Sequence, residues 1–158
     1  MADQKPPRIC GDEVETLMAL LQYQRESLVR KVAGLADEPA RRPLVPTGTS
    51  LVWLMKHMAR AEAVWVRQRF VGETAPVLDD SVGPEDTVFA ATDAYRAGWS
   101  ALDQVVATHP LDEPCHGLAD GEPPTNLRWV LMHLLEETAR HAGHADILRE
   151  LIDGTTGR

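Results

Sequence analysis

Apolar residues recur every three or four positions in four long stretches of the chain, which is the spacing of one face of a helix. Clusters of proline and glycine precede or separate these stretches, at residues 6–11, 39–48, 72–84 and 110–124. We therefore expect four helices, at about residues 12–35, 50–71, 84–108 and 125–153. The alternating pattern of half-buried strands is missing. The predicted fold class is all-α, a single four-helix-bundle domain over residues 1–158.

The loops between these helices are roughly ten to fifteen residues long, which is more than tight bundle hairpins need. At least one crossover connection is therefore compatible with the sequence. A simple up-down-up-down order does not follow from the pattern, and the topology stays open at this point.

The composition indicates which classes of partner and which cellular compartment to expect. The chain carries 16 Lys and Arg against 24 Asp and Glu, a formal charge of −8, which argues against nucleic acid as a partner. Lys56, Arg60 and Glu62 interrupt the best apolar run, so we expect no membrane span. The N-terminus lacks the apolar core of a secretory signal. Two cysteines, Cys10 and Cys115, suit free thiols in a reducing cytoplasm.

Polar residues lie on the apolar face of the last helix. The buried arc of its helical wheel holds Leu127, Val130, Leu134, Ala145, Leu148 and Ile152. Glu137 and His141 fall on this arc or at its edge, with His133 and His144 just outside it. A buried carboxylate and imidazole are costly unless paired or bound to metal. Their four-residue spacing points both side chains the same way.

The second helix offers a matching residue, His57, at the border of its own apolar stripe. Together with Glu137 and His141 it makes a set of three ligands that leaves one coordination position open, as in catalytic metal sites. The set suits zinc, the preferred expectation, and also Fe(II), with Ni(II) and Mn(II) left open. The alternatives are a hydrogen-bonded histidine in the core and a buried Glu137–His141 ion pair without metal.

The remaining candidates carry weaker signals. Cys115 and His116 lie in a loop without a second cysteine pair, so we expect a free surface thiol there. His109 precedes a proline at a helix end, where a histidine complements the helix dipole. The four tryptophans stand at helical positions, which is typical of core residues rather than of a cofactor stack.

Two segments resemble a known family. Residues 127–150 (LRWVLMHLLEETARHAGHADILRE) resemble the last helix of DinB-like proteins, and residues 49–65 (TSLVWLMKHMARAEAVW) resemble their second helix. Residues 44–50 (LVPTGTS) resemble the lead-in to that helix in many actinobacterial members. The resemblance covers essentially the whole chain. It implies a four-helix bundle with up-down-down-up connectivity.

The resemblance also implies a ligand set. Metal ligands in DinB-like proteins are one histidine in the second helix and two residues a turn apart in the last. The second of these precedes a small residue and a glycine, which places it at His141. The first then falls at Glu137, where many relatives have histidine and the mycothiol-dependent maleylpyruvate isomerase type has glutamate. His57 matches the remaining ligand.

The function implied is a divalent-metal-dependent thiol transferase or isomerase. Its substrates would be an electrophile and a low-molecular-weight thiol such as mycothiol or bacillithiol, and family members commonly form homodimers. His144 and Glu136 are candidates to orient a ligand imidazole or to move a proton. The alternative is a stress-related bundle that binds metal or ligand without turnover, because one fold serves several functions.

Overall fold

The computed structural model describes residues 4–156, and its regular elements are helices. They are α1 (Glu13–Val32), α2 (Asp37–Arg41), α3 (Leu51–Ala63), α4 (Val88–Thr108) and α5 (Leu127–Asp153), with a π-helical segment, Val64–Phe70, continuing α3. Within the described range the only strand-like pairing is the isolated bridge between Pro114 and Asn126. The all-α prediction is confirmed.

Side-chain caps explain where the long helices begin. Asp12 accepts a hydrogen bond from the backbone N–H of Glu15, and the Glu15 side chain accepts one from that of Asp12, which forms a capping box at α1. The side chains of Ser50 and Asn126 cap α3 and α5 by accepting hydrogen bonds from the backbone N–H groups of Trp53 and Trp129. Gly154, with a φ of 74°, ends α5 in the left-handed conformation that glycine adopts without strain.

The helix predicted over residues 50–71 changes its hydrogen-bonding pattern at Val64. The carbonyl oxygens of Arg69 and Phe70, near the end of the π-helical segment, accept hydrogen bonds from the backbone of Gly117 and His116 at 2.9 and 3.0 Å. A Cβ at position 117 would lie 1.8 Å from the carbonyl oxygen of Gln68, so only glycine allows this approach.

Two further differences from the predicted helices lie in the loops. The third long helix starts at Val88 rather than at residue 84, because residues 83–86 form a turn in which Asp86 accepts a hydrogen bond from the N–H of Gly83. Thr87 then caps the helix. The short helix α2 lies inside a segment that its proline and glycine content predicted to be loop.

Ion pairs and ring contacts show how the long helices run. Helices α1 and α5 are parallel, and α3 with α4 run the opposite way. The pairs that show this are Glu13 with Arg128, Lys31 with Asp146, Trp53 with His141, Trp65 with Trp129, Lys56 with Asp86, and Phe70 with His109. The facing surfaces of α3 and α5 therefore bring residues near 57 beside residues near 140.

Two clusters of buried apolar side chains fill the bundle. The first includes Met55 and Met58 of α3 and Ala142 and Ala145 of α5. The second is built around Phe70, with residues from α1, α4 and the first half of α5. The polar residues described next lie at the edge of the first cluster. No helix within residues 4–156 combines the length and the apolar character needed to cross a membrane.

Candidate metal centre

Helices α3 and α5 bring the three predicted ligands together. One side-chain ligand atom from each of His57, Glu137 and His141 lies within 4.8 Å of the other two. Glu137 Oε1 is 3.4 Å from His57 Nε2 and 3.1 Å from His141 Nε2. His57 is 80 positions from Glu137 in the sequence, so the antiparallel packing of α3 against α5 creates the cluster.

The protonation pattern of this cluster fits a bound cation. His57 Nδ1 lies 3.2 Å from Asp80 Oδ2, and since a carboxylate only accepts, His57 donates there. Its Nε2 is then unprotonated in the neutral ring and faces another acceptor, Glu137 Oε1. A divalent cation between His57 Nε2 and Glu137 Oε1 would accept a lone pair from each of these two acceptors. Two ligands that are each about 2.0–2.1 Å from one tetrahedral zinc are about 3.4 Å apart, close to the separations seen here.

Asp80 and Trp53 fix the orientation of the His57 ring. Asp80 Oδ2 also accepts a hydrogen bond from Arg60 Nη1 at 3.1 Å. Burial acts to raise the pKa of Asp80, but the hydrogen bonds from His57 and Arg60 outweigh it and hold the pKa below its usual value. The Trp53 ring stacks on His57 with a centroid distance of 4.6 Å. A carboxylate on the outer ring nitrogen is the usual support of a metal-binding histidine.

Sequence reasoning missed both supporting residues. Asp80 lies in an irregular connection between α3 and α4, where no periodicity marks one acidic residue above its neighbours. Trp53 is partly buried against the first apolar cluster, as expected of a core tryptophan, and its ring also stacks on His57. Its spacing of four residues from His57 is a signal that helical geometry offered.

His144 lies next to the cluster, on the outer side of His141. The Nδ1 atoms of these two rings are 3.3 Å apart, so one donates to the other and their tautomers are coupled. Burial lowers the pKa of His141, and the negative charge of Glu137 offsets part of that effect. His141 is therefore held in the neutral form that binds metal.

Arg140 donates hydrogen bonds to both adjacent glutamates, Glu136 and Glu137. Glu137 Oε2 accepts a hydrogen bond from Arg140 Nη1 at 2.8 Å, while Oε1 faces the histidines. Burial acts to raise the pKa of Glu137, but the histidines and Arg140 outweigh it, so the pKa lies below its usual value. Glu136 pairs with the same guanidinium on the exposed side of α5, so the structure does not bring Glu136 into the cluster.

The other histidines lie elsewhere. His133 packs between Trp65 and Trp129, one turn before Glu137. His109 ends α4, with Nδ1 at 3.1 Å from the carbonyl oxygen of Val105. His116 Nε2 lies 3.1 Å from Glu113 Oε1, and the neighbouring Cys115 is a free, partly buried thiol rather than a surface one.

A second polar group lies deeper in the bundle, between α1 and α3. Arg25 donates two hydrogen bonds to Glu62, Nε to Oε1 at 2.9 Å and Nη2 to Oε2 at 2.5 Å. The two side chains are 0% and 2% exposed. Burial raises the pKa of Glu62, an effect that Arg25 only partly offsets. The sequence pattern gave no sign that these two charges are buried.

Comparison with known proteins identifies the family to which the chain belongs. Residues 16–154 match the mycothiol S-transferase family. The chain belongs to this family. The match spans both helices that supply the cluster, and it confirms the DinB-like resemblance of those segments.

One solved structure has the same fold. The crystal structure of a conserved protein from Enterococcus faecalis has a TM-score of 0.71 and 15% sequence identity, covering 92% of this chain and 100% of that one. At this identity the likeness speaks for the fold alone. No curated protein matches the chain.

Proposed function

We propose that the protein is a divalent-metal-dependent S-transferase that joins a low-molecular-weight thiol, of the mycothiol type, to an electrophile. The observation that carries this proposal is the convergence of His57 Nε2, His141 Nε2 and Glu137 Oε1, backed by Asp80. Zinc is the metal we propose, because two imidazoles and one carboxylate are a common catalytic zinc set. Family membership favours transfer of the thiol over isomerisation.

The chain's own residues would hold and orient the reactants. Asp80 and Trp53 keep His57 Nε2 directed at the centre, and Arg140 fixes the Glu137 carboxylate. The side chains of His57 and Glu137 are 22% and 16% exposed, so a small molecule can reach them from solvent. When bound, the metal lowers the pKa of a coordinated thiol so that the sulfur is a thiolate near neutral pH.

The transfer balances without an oxidant or reductant. The thiol sulfur forms a bond to the electrophilic carbon, the leaving group departs with its electron pair, and the thiol proton is released. His144 stands beside the cluster as a residue to receive that proton. Cys10 and Cys115 are free thiols, which is compatible with the reducing cytoplasmic location that we propose.

The test is thiol consumption by the zinc-loaded protein. Mycothiol is supplied with an alkyl halide, an epoxide and an aryl halide in turn. We expect turnover with at least one of them, reduced to background in a His57→Ala, His141→Ala double variant. His116→Ala is the matched control, because it removes an exposed histidine outside the site, and it should keep full activity. Bound metal without turnover for any electrophile would contradict the transferase proposal and favour a metal-binding protein.

A further inference from the structure

A pocket of about 280 Å³ lies between the 43–50 loop and α5, outside the three-residue cluster. Its lining residues are Val45, Thr47, Thr49, His144, Ile147 and Leu148. We infer that this pocket, which we call the His144 pocket, binds the apolar part of an uncharged electrophilic substrate. The inference rests on the proposed function, since it assigns the second substrate of the same reaction.

The His144 pocket adjoins the candidate metal centre through one side chain. His144 lines the pocket and its Nδ1 lies 3.3 Å from Nδ1 of His141. The two rings meet edge to face with a centroid distance of 5.3 Å. A molecule held in the pocket therefore lies beside a ring that contacts His141, whose Nε2 faces Glu137, so its reactive carbon must extend past His144 towards the cluster.

The lining of the His144 pocket defines the chemistry of its occupant. None of its six residues is acidic, and none is a lysine or arginine, so a charged group would lose its water without gaining a counter-charge. Val45, Ile147 and Leu148 supply apolar walls. The polar groups are two threonine hydroxyls and one imidazole, a small number that suits orientation rather than charge recognition.

Residues of the same loop also line a second pocket, whose charge differs. This pocket, of about 360 Å³, is lined by Arg41, Ser50 and Trp53, among others. Because Arg41 brings a guanidinium to this pocket, the two pockets beside the 43–50 loop differ in charge. The His144 pocket is the one suited to an uncharged, apolar group.

Ile147 shows that the pocket has apolar surface left to bury. Its side chain is 60% exposed although it is large and aliphatic. Covering such a surface stabilises a complex by roughly 25 cal/mol per Å² of apolar area removed from water. Leu151, one turn further along α5, is 59% exposed but does not line the pocket. It therefore provides a matched control.

The first experiment measures binding without turnover. The full chain with 13C-labelled methyl groups and 13C-labelled histidine rings, both zinc-loaded and metal-free, is titrated with benzyl alcohol as an unreactive apolar probe and followed by NMR. We expect saturable shifts of the Val45, Ile147 and Leu148 methyl signals and of the His144 ring, with none at Leu151. Absence of shifts at the pocket, or equal shifts at Leu151, would overturn the inference.

The second experiment compares Ile147→Ser with Leu151→Ser. We expect the dissociation constant for benzyl alcohol to rise about fivefold in Ile147→Ser and to stay unchanged in Leu151→Ser. For an apolar electrophile, KM should rise similarly while KM for the thiol and the zinc content stay constant. Equal behaviour of the two variants would overturn the inference. Probe binding in a protein without transferase activity would leave the pocket standing and refute only the proposed function.

Discussion

Helix α3 carries two polar sites five residues apart, and they differ in how their hydrogen-bonding groups are satisfied. Glu62 and Arg25 form a buried pair with two hydrogen bonds and almost no exposure, and Asp103 Oδ1 lies 3.9 Å from Arg25 Nη1. His57 contributes instead to a cluster in which its Nε2 and Glu137 Oε1 face each other at 3.4 Å, and in the neutral ring that donates to Asp80 both of these atoms are acceptors. The side chains of this cluster are 11–22% exposed.

The contrast distinguishes a buried structural ion pair from the proposed metal-binding site. When both oxygens of a buried carboxylate accept hydrogen bonds from one guanidinium, neither oxygen is available to bind a ligand. A carboxylate oxygen that faces two imidazole nitrogens has the arrangement of a set of metal ligands, which is the basis of the proposed metal site. We therefore expect loss of the first site to affect folding, and loss of the second to affect metal binding. The experiments below separate these effects, starting with the largest.

Removing the charge of Glu62 should have the largest effect on stability. Glu62→Gln leaves the buried Arg25 guanidinium with only the exposed Asp103 carboxylate, 3.9 Å from its Nη1, which costs about 3 kcal/mol of the free energy of unfolding. Chemical denaturation measures it. Glu136→Gln is the control, because Glu136 is exposed, and it should change stability by less than about 0.5 kcal/mol. Similar losses in the two variants would contradict a structural role for the buried pair.

Asp80→Asn should weaken metal binding without removing a ligand. The carboxylate accepts the Nδ1 proton of His57, and losing such an outer partner typically lowers metal affinity by about 10–100-fold. Calorimetric titration with zinc measures the change. Asp79→Asn is the matched control, since Asp79 bonds only within its own turn, to Ser81, and its affinity should equal wild type. Unchanged affinity in Asp80→Asn would show that Asp80 does not support His57.

The smallest effect is the pH dependence of the metal-free protein. Burial lowers the pKa of His141 in the folded state, so below about pH 6.5 the unfolded chain binds more protons and stability falls as pH decreases. The lowered pKa of Glu137 extends this loss below about pH 4.5. Denaturation of wild type and His141→Gln between about pH 7 and pH 5 compares the slopes. Equal slopes would show that His141 is not the group responsible.

Helical periodicity explains why the cluster was predictable. His57, Glu137 and His141 each interrupt or border an apolar stripe, and the spacing of Glu137 and His141 fixes their common direction. Asp80 could not be predicted, because the 71–87 connection has no regular spacing of apolar residues. The burial of Glu62 could not be predicted, because a charged side chain on a helix is usually solvated. Its burial depends on Arg25 of another helix. The π-helical segment also pairs with a distant part of the chain, residues 116–117, which no local pattern indicates.

The most direct test is the metal content of the purified protein after loading with zinc and dialysis. The expected result is one zinc per chain in wild type and in folded Glu62→Gln, and almost none in the His57→Ala, His141→Ala double variant. Elemental analysis gives the ratio. Full zinc content in the double variant would show that His57, Glu137 and His141 do not form the metal site.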